Sequence, residues 1–142
     1  MTDQLRALVH GYAAAVDDRD FAGVAGLFAD DGVLALAQPP KHLDPVTEHI
    51  GPLGVQQAMG LLENVPRTFH AIVGEVYDVA ASGDRATGRI ACVAHHVVGA
   101  EDLVWHLRYL DTYRRIDGGW RFARREVHVD LVEVRPLKRF RS

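Results

Sequence analysis

The chain has 142 residues, of which 48% are hydrophobic and 25% are charged, and its formal net charge is -3. This length is typical of one domain with a substantial core, so we expect a single domain over residues 1–142. The acidic balance excludes a general electrostatic attraction for nucleic acid. No apolar run approaches the roughly 20 residues of a membrane span, and no signal-peptide pattern opens the chain. We therefore expect a soluble, cytoplasmic protein that binds neither nucleic acid nor a membrane.

The first part of the chain has the pattern of helices. Apolar residues recur at helical spacing over residues 3–17, which predicts an amphipathic first helix. Asp20 is placed to cap a second helix over residues 21–28. Shorter elements follow: a turn at 30–32, a strand over 33–36, a loop over 38–45, and a third helix that follows Gly51-Pro52 and ends before Pro66.

The second part of the chain has the pattern of strands. Four extended segments are predicted, over residues 69–80, 86–98, 103–116 and 120–134. The segments are separated by Ser-Gly-Asp, Gly-Ala-Glu-Asp and Asp-Gly-Gly, which are typical of hairpin turns. Helices followed by a run of antiparallel strands predict an α+β domain in which the helices cover one face of the sheet.

Two carboxylates stand at the end of the first predicted helix. A helix C-terminus carries partial negative charge, so Asp17 and Asp18 are each unfavourable there by roughly 0.3 kcal/mol or more. Asp18 falls opposite the apolar stripe of the helix and is expected on the surface. Asp17 lies on the flank of that stripe, where its side chain can reach inward. Asp17 is therefore a candidate functional residue, and a helix-end surface charge is the alternative.

Histidine is the conspicuous residue type, with eight in the chain. In the first long strand, His70 alternates with Ile72, Gly74 and Val76, which predicts a face without charges. An imidazole on such a face is desolvated, which favours its neutral form and leaves a ring that can accept a proton. The alternative is a core histidine that is satisfied by a backbone carbonyl.

Two adjacent histidines lie on the next predicted strand. His96 shares a face with Ile90, Cys92 and Ala94, so alternation predicts that His96 points to the apolar side and His95 to the outer side. Neighbouring strand residues point to opposite faces and cannot easily bind one ion together, so we expect no metal site here.

Three motifs in chain order resemble a known superfamily. They are Asp-Arg-Asp-Phe after the first helix, Leu-Phe-Ala-Asp-Asp-Gly-Val after the second, and Asp-Gly-Gly-Trp-Arg-Phe before the last strand. The order resembles the nuclear transport factor 2-like superfamily and, within it, the SnoaL-like and scytalone dehydratase-like branch. The resemblance implies a cone-shaped, curved, mixed β-sheet wrapped by the N-terminal helices around one deep apolar pocket. It also implies a homodimer that pairs two sheets back to back.

The resemblance assigns roles to residues already singled out. Scytalone dehydratase-like enzymes use an Asp on the first helix and two His on successive strands, which fall here on Asp17, on His70, and on His95 or His96. Counting from His70 favours His95 for the second strand, whereas anchoring on Gly88 favours His96. A related steroid-dehydratase pattern has a Tyr five residues before the helix Asp, which Tyr12 reproduces; packing is its alternative role.

The third long strand supplies three more candidates. Trp105, Tyr109 and Asp111 share one face and are expected to contact the substrate. Asp111 is either an acid in the pocket or the partner of an arginine such as Arg89 or Arg125.

The resemblance implies a small enzyme without a cofactor that performs general acid and base chemistry. Its substrate would be a small apolar molecule, cyclic and polyketide- or steroid-like, undergoing dehydration, isomerisation or cyclisation. His70, oriented by Asp17, would serve one half-reaction and the second histidine the other, with Tyr12 bonded to the substrate oxygen. The alternatives are an epoxide hydrolase using Asp111 with Arg89 or Arg108, a non-catalytic ligand carrier, and a structural subunit of the dioxygenase type.

Overall fold

A computed structural model describes residues 2–141 of the chain. Its helices are α1 (Thr2–Asp17), α2 (Phe21–Ala25) and α3 (Gly51–Met59), the last extended by a 3₁₀ turn (Gly60–Leu62). Its strands are β1 (Phe28–Gln38), β2 (His42–Ile50), β3 (Arg67–Val79), β4 (Arg85–Val98), β5 (Glu101–Ile116) and β6 (Gly119–Pro136).

The six strands form one curled, mixed sheet in the order β2-β1-β6-β5-β4-β3. Strands β1 and β6 are parallel, and every other neighbouring pair is antiparallel. Helix α1 packs against β3 and helix α3 against β1, and we call the side of the sheet that faces these helices the inner face. The predicted α+β fold with helices over one side of a curved sheet is confirmed.

The N-terminal half differs from the sequence-based prediction in three places. The segment expected to be a loop over 38–45 contains the start of β2, which begins at His42. Strand β2 lies at the edge of the sheet and has a neighbouring strand on one side only. An edge strand tolerates a proline such as Pro45, because backbone groups on its open side make no hydrogen bonds within the sheet. Helix α2 ends at Ala25, and β1 begins at Phe28, because the chain pairs there with Phe122 of β6.

Helix α3 packs against β1 and is shorter than the helix predicted from the sequence. It begins at Gly51, whose φ of +74° favours glycine. A side chain at this position would also place its Cβ 2.8 Å from the carbonyl oxygen of Asp30. The α-helix ends at Met59, and the 3₁₀ turn extends it only to Leu62, short of the predicted end at residue 65.

A β-bulge in β3 overturns the expectation that His70 lies on a face without charges. Ile72 pairs with Cys92 and Gly74 with Ala91, so one extra residue stands between them on β3. The bulge puts Glu75 on the inner face, where its Oε2 lies 2.9 Å from the Nε2 of His10 on α1. The uncharged-face prediction was therefore wrong beyond Ile72, because alternation cannot detect a bulge.

Candidate active site

The end of α1 meets β3 through the side chain of Asp17, which reaches inward. Its Oδ1 accepts hydrogen bonds from His70 Nδ1 (2.7 Å) and from Thr68 Oγ1 (2.9 Å). Its Oδ2 accepts a hydrogen bond from the backbone N–H of His70 (2.8 Å). Three donors from one strand thus hold a carboxylate that the helix terminus itself disfavours.

The ionisation of Asp17 fixes the proton on the imidazole of His70. Burial alone would raise the pKa of Asp17, but hydrogen bonds from the ring and the backbone of His70 and from Thr68 outweigh burial and hold that pKa below its ordinary value. An ionised carboxylate only accepts, so Nδ1 of His70 carries a proton. The other nitrogen, Nε2, is then the atom that can exchange a proton with a ligand.

His96 stands beside this pair and is buried. Its Nδ1 lies 3.0 Å from the carbonyl oxygen of Leu103, which only accepts, so Nδ1 is protonated. Burial lowers the pKa of His96 to about 4, against the opposing hydrogen bond to Leu103, so the ring is neutral at pH 7 and Nε2 is an acceptor. The ring centroid of His96 lies 6.0 Å from that of His70 and 4.3 Å from that of Trp105.

His95 points the other way. Its Nδ1 lies 2.7 Å from Oδ2 of Asp102, and its side chain is 31% exposed on the outer face of the sheet. Strand alternation predicts this placement of His95 and the inward placement of His96. The structure thus brings Asp17, His70 and His96 together and leaves His95 outside.

An apolar cavity of about 140 Å³ lies next to His96 on the inner face. Tyr12, Trp105 and Tyr109 also line this cavity, in agreement with the face that the sequence assigned to them. The remaining wall is aliphatic and includes Leu36, Ala58, Met59, Leu62, Leu107 and Val127. Asp17 and His70 do not line the cavity, and the ring of His70 lies next to that of His96.

Asp111 does not line the cavity either. It is buried, and its two oxygens accept hydrogen bonds from Arg125 (2.9 and 3.0 Å) and from Tyr113 (2.7 Å). Of the two roles considered for Asp111, pairing with an arginine is the one observed, and the arginine is Arg125. The Asp111–Arg108 arrangement of an epoxide hydrolase is not formed, because Arg108 donates to Asp130 (2.8 Å).

Arg125 supports the aromatic floor of the cavity. Its side chain is fully buried, and the guanidinium carbon lies 3.6 Å from the ring centroid of Tyr109 and 4.3 Å from that of Tyr12. Burial raises the pKa of Tyr12 to about 12, against the opposing effect of Arg125, so Tyr12 keeps its proton and remains a hydrogen-bond donor.

Sequence reasoning missed two supports of the site, Thr68 and the carbonyl of Leu103. Thr68 is two residues before His70 on the same face, a spacing that was available in the sequence. The backbone carbonyl of Leu103 could not be found from the sequence, because every residue has a backbone carbonyl.

Three further observations concern the described part of the chain. Within residues 2–141, no three His, Cys, Asp or Glu side chains are grouped so that they could hold a metal ion. No helix in the same range has the length and apolar character needed to cross a membrane. A larger and more open depression of about 360 Å³ lies elsewhere on the sheet, lined by Asp78, Arg85 and Thr112 among others, and contains none of the candidate residues.

Comparison with known proteins gives a family and a set of similar structures. A family model described as the SnoaL-like domain matches residues 2–126. A candidate scytalone dehydratase from Novosphingobium aromaticivorans is 21% identical, with a TM-score of 0.80 over 99% of this chain and 95% of the other. A hexachlorocyclohexane dehydrochlorinase, LinA type 2, is 17% identical, with a TM-score of 0.84 over 99% and 93%.

A third similar structure is a point variant of Rv3472, a protein of unknown function from Mycobacterium tuberculosis. It is 26% identical, with a TM-score of 0.76 over 89% of this chain and 70% of the other. A search of curated proteins found no significant match.

Proposed function

We propose, from the premise that this chain belongs to the SnoaL-like domain family, that it is a lyase that eliminates water from a small, apolar, cyclic hydroxy ketone. One observation carries the proposal: a carboxylate and an imidazole, 2.7 Å apart, stand beside a second, neutral imidazole that lines an apolar cavity. His70 with Asp17 provides a base, His96 provides a hydrogen-bond acceptor, and the apolar cavity provides a space from which water is largely excluded.

His70 is the general base in this proposal. The carboxylate of Asp17 orients the ring and stabilises the imidazolium that forms when Nε2 takes a proton. The proton comes from the carbon next to the substrate carbonyl, because that carbon–hydrogen bond is the acidic one.

His96 holds the leaving group. Its neutral Nε2 accepts a hydrogen bond from the substrate hydroxyl, and the ring of His70 lies 6.0 Å from that of His96, centroid to centroid. The imidazolium of His70 then returns the proton to that hydroxyl, the carbon–oxygen bond breaks, and water leaves as the carbon–carbon double bond forms. The proton taken in the first step is the one delivered in the second, so the base is regenerated.

Tyr12 completes the set as the donor to the carbonyl oxygen. Its hydroxyl stays protonated at neutral pH and its ring lines the cavity. A donor placed at this oxygen stabilises the negative charge that develops as the proton is removed.

Isomerisation and cyclisation begin with the same proton abstraction. Elimination is favoured here because two of the similar structures are described as a dehydratase and a dehydrochlorinase.

The test follows the conversion of 3-hydroxycyclohexanone to cyclohex-2-enone by the ultraviolet absorbance of the enone. We expect turnover by the wild type and a loss of about 10²- to 10⁴-fold in kcat/KM for His70→Gln. His95→Gln is the matched control, because it removes a neighbouring imidazole from the outer face, and it should keep wild-type turnover. Equal rates for the wild type and His70→Gln would contradict the proposal.

A non-catalytic ligand carrier is the second candidate. It is favoured by one observation, namely that Asp17 and His70 do not line the cavity. A carrier would bind cyclic alcohols with the same affinity in the wild type and in His70→Gln and would turn over none of them.

We also propose that the outer face of the sheet joins two copies of the chain. Phe69, Val73 and Val76 of β3 and Leu131 of β6 are large apolar residues exposed on this side, and exposed apolar surface of this kind marks interaction sites. A two-fold axis would place this patch against itself.

A further inference from the structure

The cavity beside His96 is too small for the polycyclic substrates that the family resemblance implied. We infer that it accepts a single six-membered ring carrying an uncharged hydrogen-bond donor, and excludes fused-ring molecules; this inference rests on the proposed function and deepens it. The cavity measures about 140 Å³, close to the roughly 150 Å³ of an engineered apolar cavity that binds benzene. Drug-sized ligands occupy pockets of about 300 Å³ or more.

The floor of the cavity cannot easily move aside to admit a larger ligand. Tyr12 and Tyr109 form it, and both rings lie against the fully buried guanidinium of Arg125. Arg125 is in turn fixed by two hydrogen bonds to the buried carboxylate of Asp111. Displacing either ring would disturb a buried ion pair, which is a strongly unfavourable change.

The side walls set the width of the cavity. Leu107 and Val127 project from β5 and β6, and Met59 projects from the end of α3. All three are buried, and protein interiors are packed too densely for such side chains to yield the volume of a second ring. Leu61 and Leu62 of the 3₁₀ turn also line the cavity. Leu61 is 72% exposed and Leu62 is only partly buried, so this turn is the more yielding part of the wall.

The polar lining selects the functional group of the ligand. Nδ1 of His96 is already bonded to the carbonyl of Leu103, so Nε2 remains as an acceptor that only a donor can satisfy. Among residues 2–141, no charged side chain lines this cavity, so a carboxylate or ammonium group would be buried there without a partner. A phenol or a cyclohexanol has the required combination of one ring and one hydroxyl.

The experiment measures dissociation constants by NMR titration, following the ring signals of His96 and the indole N–H of Trp105. Phenol and 2-naphthol share the hydroxyl and differ by one ring, whereas anisole keeps the single ring and lacks the donor. Burial of apolar surface alone would make 2-naphthol the tighter ligand. We expect the reverse, with Kd at least tenfold lower for phenol than for 2-naphthol, and anisole weaker than phenol. Binding of 2-naphthol or estradiol as tight as that of phenol would overturn the inference.

A variant that enlarges the cavity tests its size directly. Leu107→Ala should lower the ratio of the 2-naphthol Kd to the phenol Kd at least tenfold. Leu5→Ala is the matched control, because it removes the same atoms from a fully buried site on α1 that does not line the cavity, and the ratio should not change. If Leu107→Ala does not fold, Leu62→Ala should lower the ratio in the same direction, and an unchanged ratio in a folded variant contradicts the inference.

The two proposals fail in different ways. Binding is measured without turnover, so selective binding of phenol without any elimination would contradict the proposed reaction and leave the size limit intact. Turnover of a fused-ring hydroxy ketone that is lost in His70→Gln would support the proposed reaction and contradict the size limit.

Discussion

Asp17 is the residue on which the candidate site depends. It ends a helix whose dipole disfavours a carboxylate, and its three hydrogen bonds all go to Thr68 and His70 of the neighbouring strand. The carboxylate therefore orients the ring of His70 and links the end of α1 to β3. It contributes little to the stability of the helix itself.

The first prediction concerns the tautomer of His70. In the wild type, ¹⁵N NMR should show the ring proton on Nδ1, because the carboxylate of Asp17 only accepts. Asp17→Asn replaces this acceptor with an amide that can also donate, so the fraction of neutral rings with the proton on Nδ1 should fall. Asp18→Asn is the matched control, since Asp18 is the next residue and is exposed, and it should leave the ¹⁵N shifts unchanged. The same shifts in all three proteins would mean that Asp17 does not set the tautomer.

The second prediction concerns the pH dependence of stability. The pKa of His96 is about 4 in the folded chain and roughly 6.5 in an unfolded one. Between these values the unfolded state binds more protons, so the free energy of unfolding should fall as the pH drops from about 6.5 to about 4. The contribution of His96 to this fall is at most about 3 kcal/mol.

Urea denaturation at several pH values measures this contribution as a difference between two proteins. His96→Gln should lose stability less steeply than the wild type across the window, because it has no ring to protonate. His95→Gln removes a partly exposed ring on the outer face and should keep a slope closer to that of the wild type. Parallel curves for the wild type and His96→Gln would contradict the buried, neutral state of His96.

At the scale of elements, strands β5 and β6 are joined by a buried ion pair between Asp111 and Arg125. Removing one partner leaves an unpaired buried charge, so Arg125→Met should lower the free energy of unfolding by about 3 to 5 kcal/mol. Arg108→Met breaks an exposed pair with Asp130 between the same two strands and should cost less than about 1 kcal/mol. Chemical denaturation of both variants checks the contrast, and equal losses would show that burial does not decide the strength of these pairs.

The four long strands were predictable because each is an extended run of more than ten residues and glycine-containing turns separate one from the next. Strand β2 was not predictable, because Pro45 and the nearby prolines have the composition of a loop and only the position at the sheet edge makes a strand tolerable there. The bulge after Ile72 was also invisible, because it depends on the register with β4 and leaves no mark on β3 alone. Strand alternation correctly predicted the faces on which His95 and His96 lie, because β4 has no bulge near these residues.

At the scale of the whole molecule, we predict a homodimer through the outer face of the sheet. Multi-angle light scattering at micromolar concentration should give twice the chain mass of 15.7 kDa. The double variant Phe69→Lys, Val76→Lys should give the monomer mass, because it places charges in the proposed interface. Leu53→Lys changes a similarly exposed apolar residue on α3, away from that face, and should remain dimeric. A monomeric wild type would rule this interface out.

Removal of a proton from a ligand by His70 is the central claim, and exchange at carbon measures it without requiring elimination. Cyclohexanone has one ring, and its hydrogens next to the carbonyl exchange slowly with deuterium oxide, which ¹H NMR follows as a loss of signal. Wild-type protein should accelerate this exchange over buffer, His95→Gln should match the wild type, and His70→Gln should lose about 10²- to 10⁴-fold of the acceleration. Exchange no faster than in buffer, or equally fast with His70→Gln, would contradict the claim.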